Sequence, residues 1–441
     1  MNNKLIINGV INPFNKTIVI DGDKSLSIRW ALLASQAIGK STATNLLESD
    51  DVLSTLSCLK KLGIKINLSH TKCEIFGAGI NGYKYKKNII LNTGNSGTLA
   101  RLISGLLIHA KEKIKITGDK SLSKRDFLRI SEPLKKFGAK IQTTLGGLPL
   151  TIKGTKNPNP IKYFEKKGSA QCKSSIMLAA LNTEGKTLIK AKKSRNHSEL
   201  LFKALNLNIK VSKKKNYDFI KIVGGREIKP FNYNIPSDIS SGAFFIALTL
   251  LSKNSKLTIK SINVNPSRTG VIKILRLMGA KISFKNLRIY KGEKIADLYV
   301  KSVKSLNAIN CPPTLNSSAI DEFLIIFMIA AKAKGVSIFK NLSELNEKES
   351  PRLKWGSKIL NLMGIKTLTT KNSIEIYGNP NLQINKKIVI KDYLKDHRVF
   401  MTSVIAALAF GGKWIIHDKD SIKTSFPSFL KIINNIKKQK L

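Results

Sequence analysis

Cysteine is scarce in this 441-residue chain: Cys58, Cys73, Cys172 and Cys311 stand far apart. That excludes a disulfide-stapled secreted module and a zinc-finger framework, both of which need Cys at short fixed intervals. Long apolar runs are missing too. FLIIFMIAA (323–331) and AFFIALTLL (243–251) fall short of the ~20 residues a membrane span needs, so both read as buried helices and no membrane partner is expected. The opening MNNKLIINGVINPFNK has neither the charged, apolar and small-residue order of a signal peptide nor the Ser/Arg bias of a transit peptide. A reducing cytoplasm is the expected location. Acids are few, 28 Asp and Glu against 76 Lys and Arg, for a net charge of +48. That excess would suit a nucleic-acid binder. The basic residues, however, are spread over the whole length without a block of six, KKSRNH and KKK (213–215) being the densest clusters. A solvated lysine-rich surface is the simpler reading, and no nucleic-acid partner is expected.

What is present is ordinary for a globular protein: 42% apolar and 24% charged residues, over a length that suits two or three domains with substantial cores. Within it a helix-closing pattern recurs, an apolar tail followed by Gly or Asn and then, usually, Lys between apolar residues. It reads CLKKLGIKI at Gly63, PLKKFGAKI at Gly138, KALNLNIKV at Asn208, ILRLMGAKI at Gly279, ILNLMGIKT at Gly364 and KIINNIKKQ at Asn435. Gly and Asn tolerate the left-handed conformation that closes a helix. A spacing of about 70 to 85 residues is too long for a solenoid and suits a repeated α/β subdomain.

Each of the six units carries a very apolar first helix, a short strand and an amphipathic second helix, which fits a βαβαββ subdomain. The first helices are expected to start at Ser25, Ser96–Gly97, Ser169, Ser240, Asp321 and Asp396, where Ser and Asp serve as N-caps. At Ser240 capping alone accounts for the residue. Elsewhere basic residues crowd the first turn, as with Lys24 and Arg29, Arg101, Lys173, or His397 and Arg398. Cations oppose the helix dipole there, unless an anion binds at the free N–H groups. The second helices repeat the theme with SKR (123–125), SRNHS (194–198), PSRTG (266–270) and KESPR (348–352), whose arginines suit forked bonds to phosphate or carboxylate. Among these clusters Asp321 and Glu349 are two acids expected to be partly buried, a pair suited to proton transfer.

At these residues the chain resembles the enolpyruvyl transferases, in particular the branch acting on shikimate 3-phosphate. The motifs run end to end: DGDKSLSIRWALLA, NTGNSGTLARLISGLL, GDKSLSKRDFLRISEPLKKFGA, GSAQCKSSIMLAAL, SRNHSELL, IPSDISSGAFFIALTLL, NPSRTG, AIDEF, NEKESPRL, DHRVFM and TSFPSF. Several are long and family-restricted. The resemblance implies an α/β protein built as a two-domain inside-out barrel of six βαβαββ repeats with buried parallel helices. The domains it implies are 1–22 plus 236–441, and 23–235, with the active site in the cleft between them. It implies a monomer that needs no cofactor and no metal, with shikimate 3-phosphate and phosphoenolpyruvate as substrates.

Carried over residue by residue, Lys24, Ser25, Arg29, Ser169, Ala170, Gln171 and Ser194 hold shikimate 3-phosphate, together with Asp321 and Lys348; Arg195 is a weaker candidate beside Ser194. Lys24, Gly97, Arg125, Gln171, Arg352 and Arg398 hold phosphoenolpyruvate. Asp321 takes the proton of the 5-hydroxyl, and Glu349 protonates the methylene carbon with Lys24 as its proton partner. His397 is either a hydrogen-bond partner of that glutamate or a structural residue at a helix start. Gly97, lacking a side chain, leaves room for glyphosate, a bulkier mimic of phosphoenolpyruvate.

The chain departs from the family pattern at Asp21, where Pro is usual, at Asp126, which follows Arg125 in place of Pro and is expected to weaken its field, and at Pro351, in place of Asp. Lys423 is one residue out of register with a ligand lysine of some members and is left out. The sister enzymes acting on UDP-N-acetylglucosamine resemble it less, because their loop cysteine has no counterpart in 111–124. An RNA-binding protein built on related repeats is favoured by charge alone. A catalytically dead homologue is disfavoured by the intact Lys24, Asp321, Glu349 and Arg398.

Overall fold

A computed structural model describes residues 3–438. The fold is mixed α/β, and the chain divides into two compact units. The first takes the N-terminal stretch to Asp21, Pro236–Ile289 and everything from Lys294; the second takes Gly22–Ile235 and Tyr290–Glu293. Each unit has its own apolar core and three small sheets.

Six helices fill the cores: α1 (Lys24–Ser35), α2 (Gly97–Leu106) and α3 (Ala170–Leu181) in the second unit, and α4 (Ile239–Leu251), α5 (Phe323–Ala331) and α6 (His397–Phe410) in the first. Every residue of α2, α4 and α5 is buried. Full burial of a Leu, Ile or Phe side chain stabilises by about 1.5–3 kcal/mol, so these apolar-all-round segments belong inside. Among the described residues no single helix is long and apolar enough to cross a membrane.

Around three of these helices the chain makes a parallel crossover. Ile90–Asn92 leads through α2 to Ile114–Thr117, Lys162–Glu165 through α3 to Lys186–Lys192, and Lys387–Ile390 through α6 to Lys413–His417. A parallel pair needs such a connection, and a buried helix supplies it. At α1 and α4 the partners are exchanged. Asn15–Ile18, which precedes α1, pairs with Lys256–Asn263 after α4; Asn232–Asn234, which precedes α4, pairs with Ile38–Thr44 after α1. The N-terminal strand Lys4–Asn8 pairs antiparallel with Lys413–His417 and completes the last sheet. At the first crossing a Cβ on Gly22 would lie 2.0 Å from the Asn45 carbonyl oxygen, so only glycine fits.

Four of the expected helix closures stand where the sequence places them, with Gly63, Gly138, Gly279 and Gly364 at φ +87, +103, +92 and +86. Two do not. The helix His197–Ala204 closes on Asn206, at φ +53, two residues before Asn208. The last helix, Phe429–Lys437, runs through Asn435 without a break, because nothing there forces a left-handed residue.

Three helix starts are corrected as well. Asp23 rather than Ser25 caps α1, accepting from the Leu26 amide, and Asp238 rather than Ser240 caps α4, accepting from the Ser240 amide. In both cases an acid two residues upstream starts the helix earlier and takes the capping role. Asp321 caps nothing: α5 begins at Phe323 after Glu322, beyond the short helix Asn316–Ala319. Ser96, Ser169 and Asp396 cap their helices through their side chains.

Candidate active-site clusters

In the second unit the starts of α1, α2 and α3 carry two cationic groups, one around Arg29 and one around Arg101. Arg29 points back along α1, and burial leaves it 5% exposed. Its Nε donates to Ser198 Oγ at 2.9 Å, its Nη2 to Ser174 Oγ at 3.1 Å, and its Nη1 to the Ser25 carbonyl at 3.0 Å. The two serine hydroxyls are themselves 2.7 Å apart. Lys24 pairs with Asp51 at 2.9 Å, an acid in the first turn of the helix Asp50–Lys61.

At α2, Arg101 is buried under the Phe127 ring, and its Nη1 donates to Gln171 Oε1 at 2.5 Å; Gln171 Nε2 donates in turn to Thr98 Oγ1 at 2.9 Å. Burial, then the neighbouring charges of Arg125 and Arg129, push the Arg101 pKa down to about 10. Like charges gathered in a buried place raise the free energy until an anion joins them. A Cβ on Gly97 would lie 3.0 Å from Arg125 Nη1 and 3.6 Å from Arg101 Nη1, so the missing side chain sets how closely these guanidinium groups approach the helix start.

The serines of this cluster differ. Ser169 Oγ is used in capping, accepting from the Cys172 amide, and Ala170 opens α3. Ser194 Oγ is buried with no hydrogen-bond partner. Cys172 is buried, donates to the Arg129 carbonyl, and burial raises its thiol pKa to about 12, which makes it an inert packing residue. Asp126 bonds to Arg129 Nε and Lys167 Nζ, both at 3.2 Å. Burial opposes its charge, yet those two cations hold its pKa below the usual range. Its carboxylate is thereby matched by Arg129 and Lys167, which limits its effect on Arg125.

In the first unit, Arg352 is the centre of the other cluster. It is 2% exposed, and Pro351 sits at the N-cap of its helix, where no backbone N–H is required. Its Nε and Nη2 donate to Asp396 at 2.9 and 3.2 Å, its Nη1 to Asp321 at 3.3 Å, and its Nη2 also to Glu349 in a short bond. Lys348 Nζ reaches Asp321 Oδ1 at 3.3 Å. Burial disfavours the charge of Arg352, but Asp396, Glu349 and Asp321 outweigh it and hold the pKa above the ordinary arginine value. Asp396 is fully buried, which alone would raise its pKa; Arg352 prevails and lowers it.

Arg398 donates from its backbone to Asp396 at 2.9 Å and from Nη1 to the Asp321 carbonyl at 2.7 Å. His397 Nδ1 is 3.2 Å from Thr424 Oγ1. Asp21 is bonded by Ser428 Oγ at 2.7 Å, and burial raises its pKa. Arg268, expected at an anion-facing helix start, is instead fully buried against Asp238 and Ser240.

The structure thus gathers Asp321, Lys348, Glu349, Arg352 and Arg398 in one unit. In the other it gathers Gly97, Arg125 and Gln171 in one group and Ser25 and Arg29 in another. Sequence reasoning missed Asp51, Ser174, Ser198 and Glu322 entirely. It read Arg101 as a helix-start cation and Asp396 as a cap, without giving either a place in the site. Serines behind an arginine leave no sequence mark; the acid of an Asp-His-Arg helix start is readable as a cap but not as an ion-pair partner.

Residues 10–433 match the family model described as EPSP synthase (3-phosphoshikimate 1-carboxyvinyltransferase). A 3-phosphoshikimate 1-carboxyvinyltransferase of Ruthia magnifica subsp. Calyptogena magnifica is 39% identical over 431 residues, covering 97% of each chain. Among solved structures, EPSP synthase from Acinetobacter baumannii superposes with a TM-score of 0.86 at 35% identity, covering 98% of each chain. The enolpyruvyl transferase NikO from Streptomyces tendae, 12% identical with a TM-score of 0.76 and covering 99% of this chain and 98% of its own, shares the fold.

Proposed function

Because the chain belongs to the EPSP synthase family, we propose that it transfers the carboxyvinyl group of phosphoenolpyruvate to the 5-hydroxyl of shikimate 3-phosphate and releases inorganic phosphate. In this reading the enzyme is a cytoplasmic monomer serving aromatic amino acid biosynthesis. Its six repeats form a two-domain inside-out α/β barrel, and both charged clusters act on the same substrate pair. Arg29, Ser25, Ser169, Ala170, Gln171 and Ser194 take shikimate 3-phosphate, together with Asp321 and Lys348. Gly97, Arg125, Gln171, Arg352 and Arg398 take phosphoenolpyruvate, and Lys24 touches both.

The observation that carries the reading is that Asp321 and Glu349 share one guanidinium, that of Arg352. The reaction needs two acids in opposite roles. Glu349 delivers a proton to the methylene carbon, which makes the adjoining carbon cationic. The substrate oxygen bonds to that carbon while Asp321 accepts its proton, giving a tetrahedral adduct. Phosphate then leaves, taking up the proton held by Asp321, and the methyl group returns a proton to the Glu349 carboxylate, restoring the enol double bond. Arginine beside a carboxylate favours the ionised form, which suits Asp321 as base. For Glu349 to hold a proton, the anionic substrates must offset Arg352, so the acid is armed only when they are bound. The cations hold two polyanions at reacting distance, a positioning and electrostatic task.

The test is phosphate release from phosphoenolpyruvate by the purified protein. Release that depends on shikimate 3-phosphate supports the reading; release without it, or none at all, overturns it.

A further inference from the structure

Behind Arg398 lies a buried polar chain that takes no part in the steps above. Glu322, 1% exposed, has Oε1 3.9 Å from Arg398 Nη1 and accepts a short hydrogen bond there from Ser240 Oγ. Ser240 Oγ accepts in turn from Arg268 Nη2 at 2.6 Å, and the same Nη2 donates to Asp238 Oδ1 at 3.0 Å. Arg268 is 2% exposed. The other carboxylate oxygen of Glu322, Oε2, is buried with no hydrogen-bond partner. An under-satisfied buried carboxylate is costly, so its charge must be offset by the cations on either side of it.

From this we infer that Glu322, fixed by Ser240 and Arg268, is a positioning residue for Arg398. The inference rests on the reading that Arg398 holds an anionic group of phosphoenolpyruvate. The Asp321 carbonyl gives the guanidinium one neutral anchor at 2.7 Å. A single hydrogen bond leaves a flexible arginine free to pivot. A fixed negative charge behind it supplies a second point and aims the fork before substrate arrives. Ordering a long side chain in advance removes part of the entropy otherwise lost on binding. The serine cannot be replaced by a simple cap, because Asp238 already caps α4. Its hydroxyl joins Arg268 to Glu322.

Glu322→Gln keeps the volume and an oxygen for Ser240 while removing the charge. Wild-type transfer activity is measured first; its absence overturns the functional reading and this inference together. With an active wild type, the expected result for Glu322→Gln is a KM for phosphoenolpyruvate raised about tenfold, with kcat and the KM for shikimate 3-phosphate within about twofold. A variant that loses thermal stability but keeps both KM values has lost a structural group only, and that result overturns the inference. So do unchanged kinetics in a fully stable variant. Should Glu322→Gln not fold, Ser240→Ala, which keeps the carboxylate and removes its hydrogen bond, is read by the same KM against kcat split.

Discussion

Around Arg101 the guanidinium groups of Arg125 and Arg129 add their charge, and the neighbouring carboxylate, Asp126, is engaged by Arg129 and Lys167. Around Arg352 the proportion is reversed, with one guanidinium facing Asp321, Glu349 and Asp396. The first arrangement has positive charge left over and is incomplete without an anion. The second gathers three carboxylates on that one guanidinium, with Lys348 beside Asp321, so its acids are held in place before any ligand binds. In the proposed reading the first cluster captures an anion and the second also moves protons, so the two should respond differently to the loss of a charge.

The sharpest break in that contrast is catalytic. Asp321→Asn and Glu349→Gln should each lower turnover by roughly 10²- to 10⁴-fold while the fold stays intact; near-normal turnover in both variants, assayed as phosphate release, would refute the assigned roles. Next comes stability. Arg352→Met removes the guanidinium that three carboxylates share and should cost on the order of 3–5 kcal/mol, whereas Arg125→Met removes one of several like charges and should cost far less. Urea unfolding of the two variants compares them directly, and equal losses would erase the distinction between the two clusters.

A smaller effect is expected at the capture cluster. The methyl group of Gly97→Ala would press on Arg125 Nη1 from 3.0 Å, so inhibition by glyphosate should weaken by about tenfold or more. An inhibition constant that does not move would count against the placement of the phosphoenolpyruvate pocket.

The smallest effect depends on pH. The pKa of Asp396 is depressed in the folded protein, so its contribution to stability is complete above the unfolded value of about 3.9. That contribution is lost as pH falls through the lower folded value. Asp396→Asn should therefore be less stable than wild type at pH 7, with the difference shrinking only below about pH 4. A gap that stays constant from pH 7 to pH 3 in urea titrations would show that the Asp396 charge is not what Arg352 needs.

Much of the architecture was legible because local physics repeats. Gly63, Gly138, Gly279 and Gly364 mark helix ends by the same left-handed requirement, and apolar-all-round segments such as α4 and α5 had to be interior. Misreadings arose where two residues competed for one local role. Asn206 and Asn208 are equally able to close a helix, and Asp23 and Asp238 take the caps that Ser25 and Ser240 could have filled. The candidate acids Asp321 and Glu349 stand out by motif and Asp396 is legible as a cap, but that Arg352 joins all three carboxylates is not.

Sequence alone determined four of the recurrent helix closures, the buried helices, the cationic helix starts and the family, since each depends on residue type at short spacing. Tertiary structure decided the exchange of edge strands before α1 and α4, the serines behind Arg29 and the ionic chain from Arg268 to Arg398. Those pairings join residues as much as 241 positions apart, as between Asn15 and Lys256, and no local propensity encodes which distant partner satisfies a buried charge. Only the packed core, by excluding water, makes that choice matter energetically.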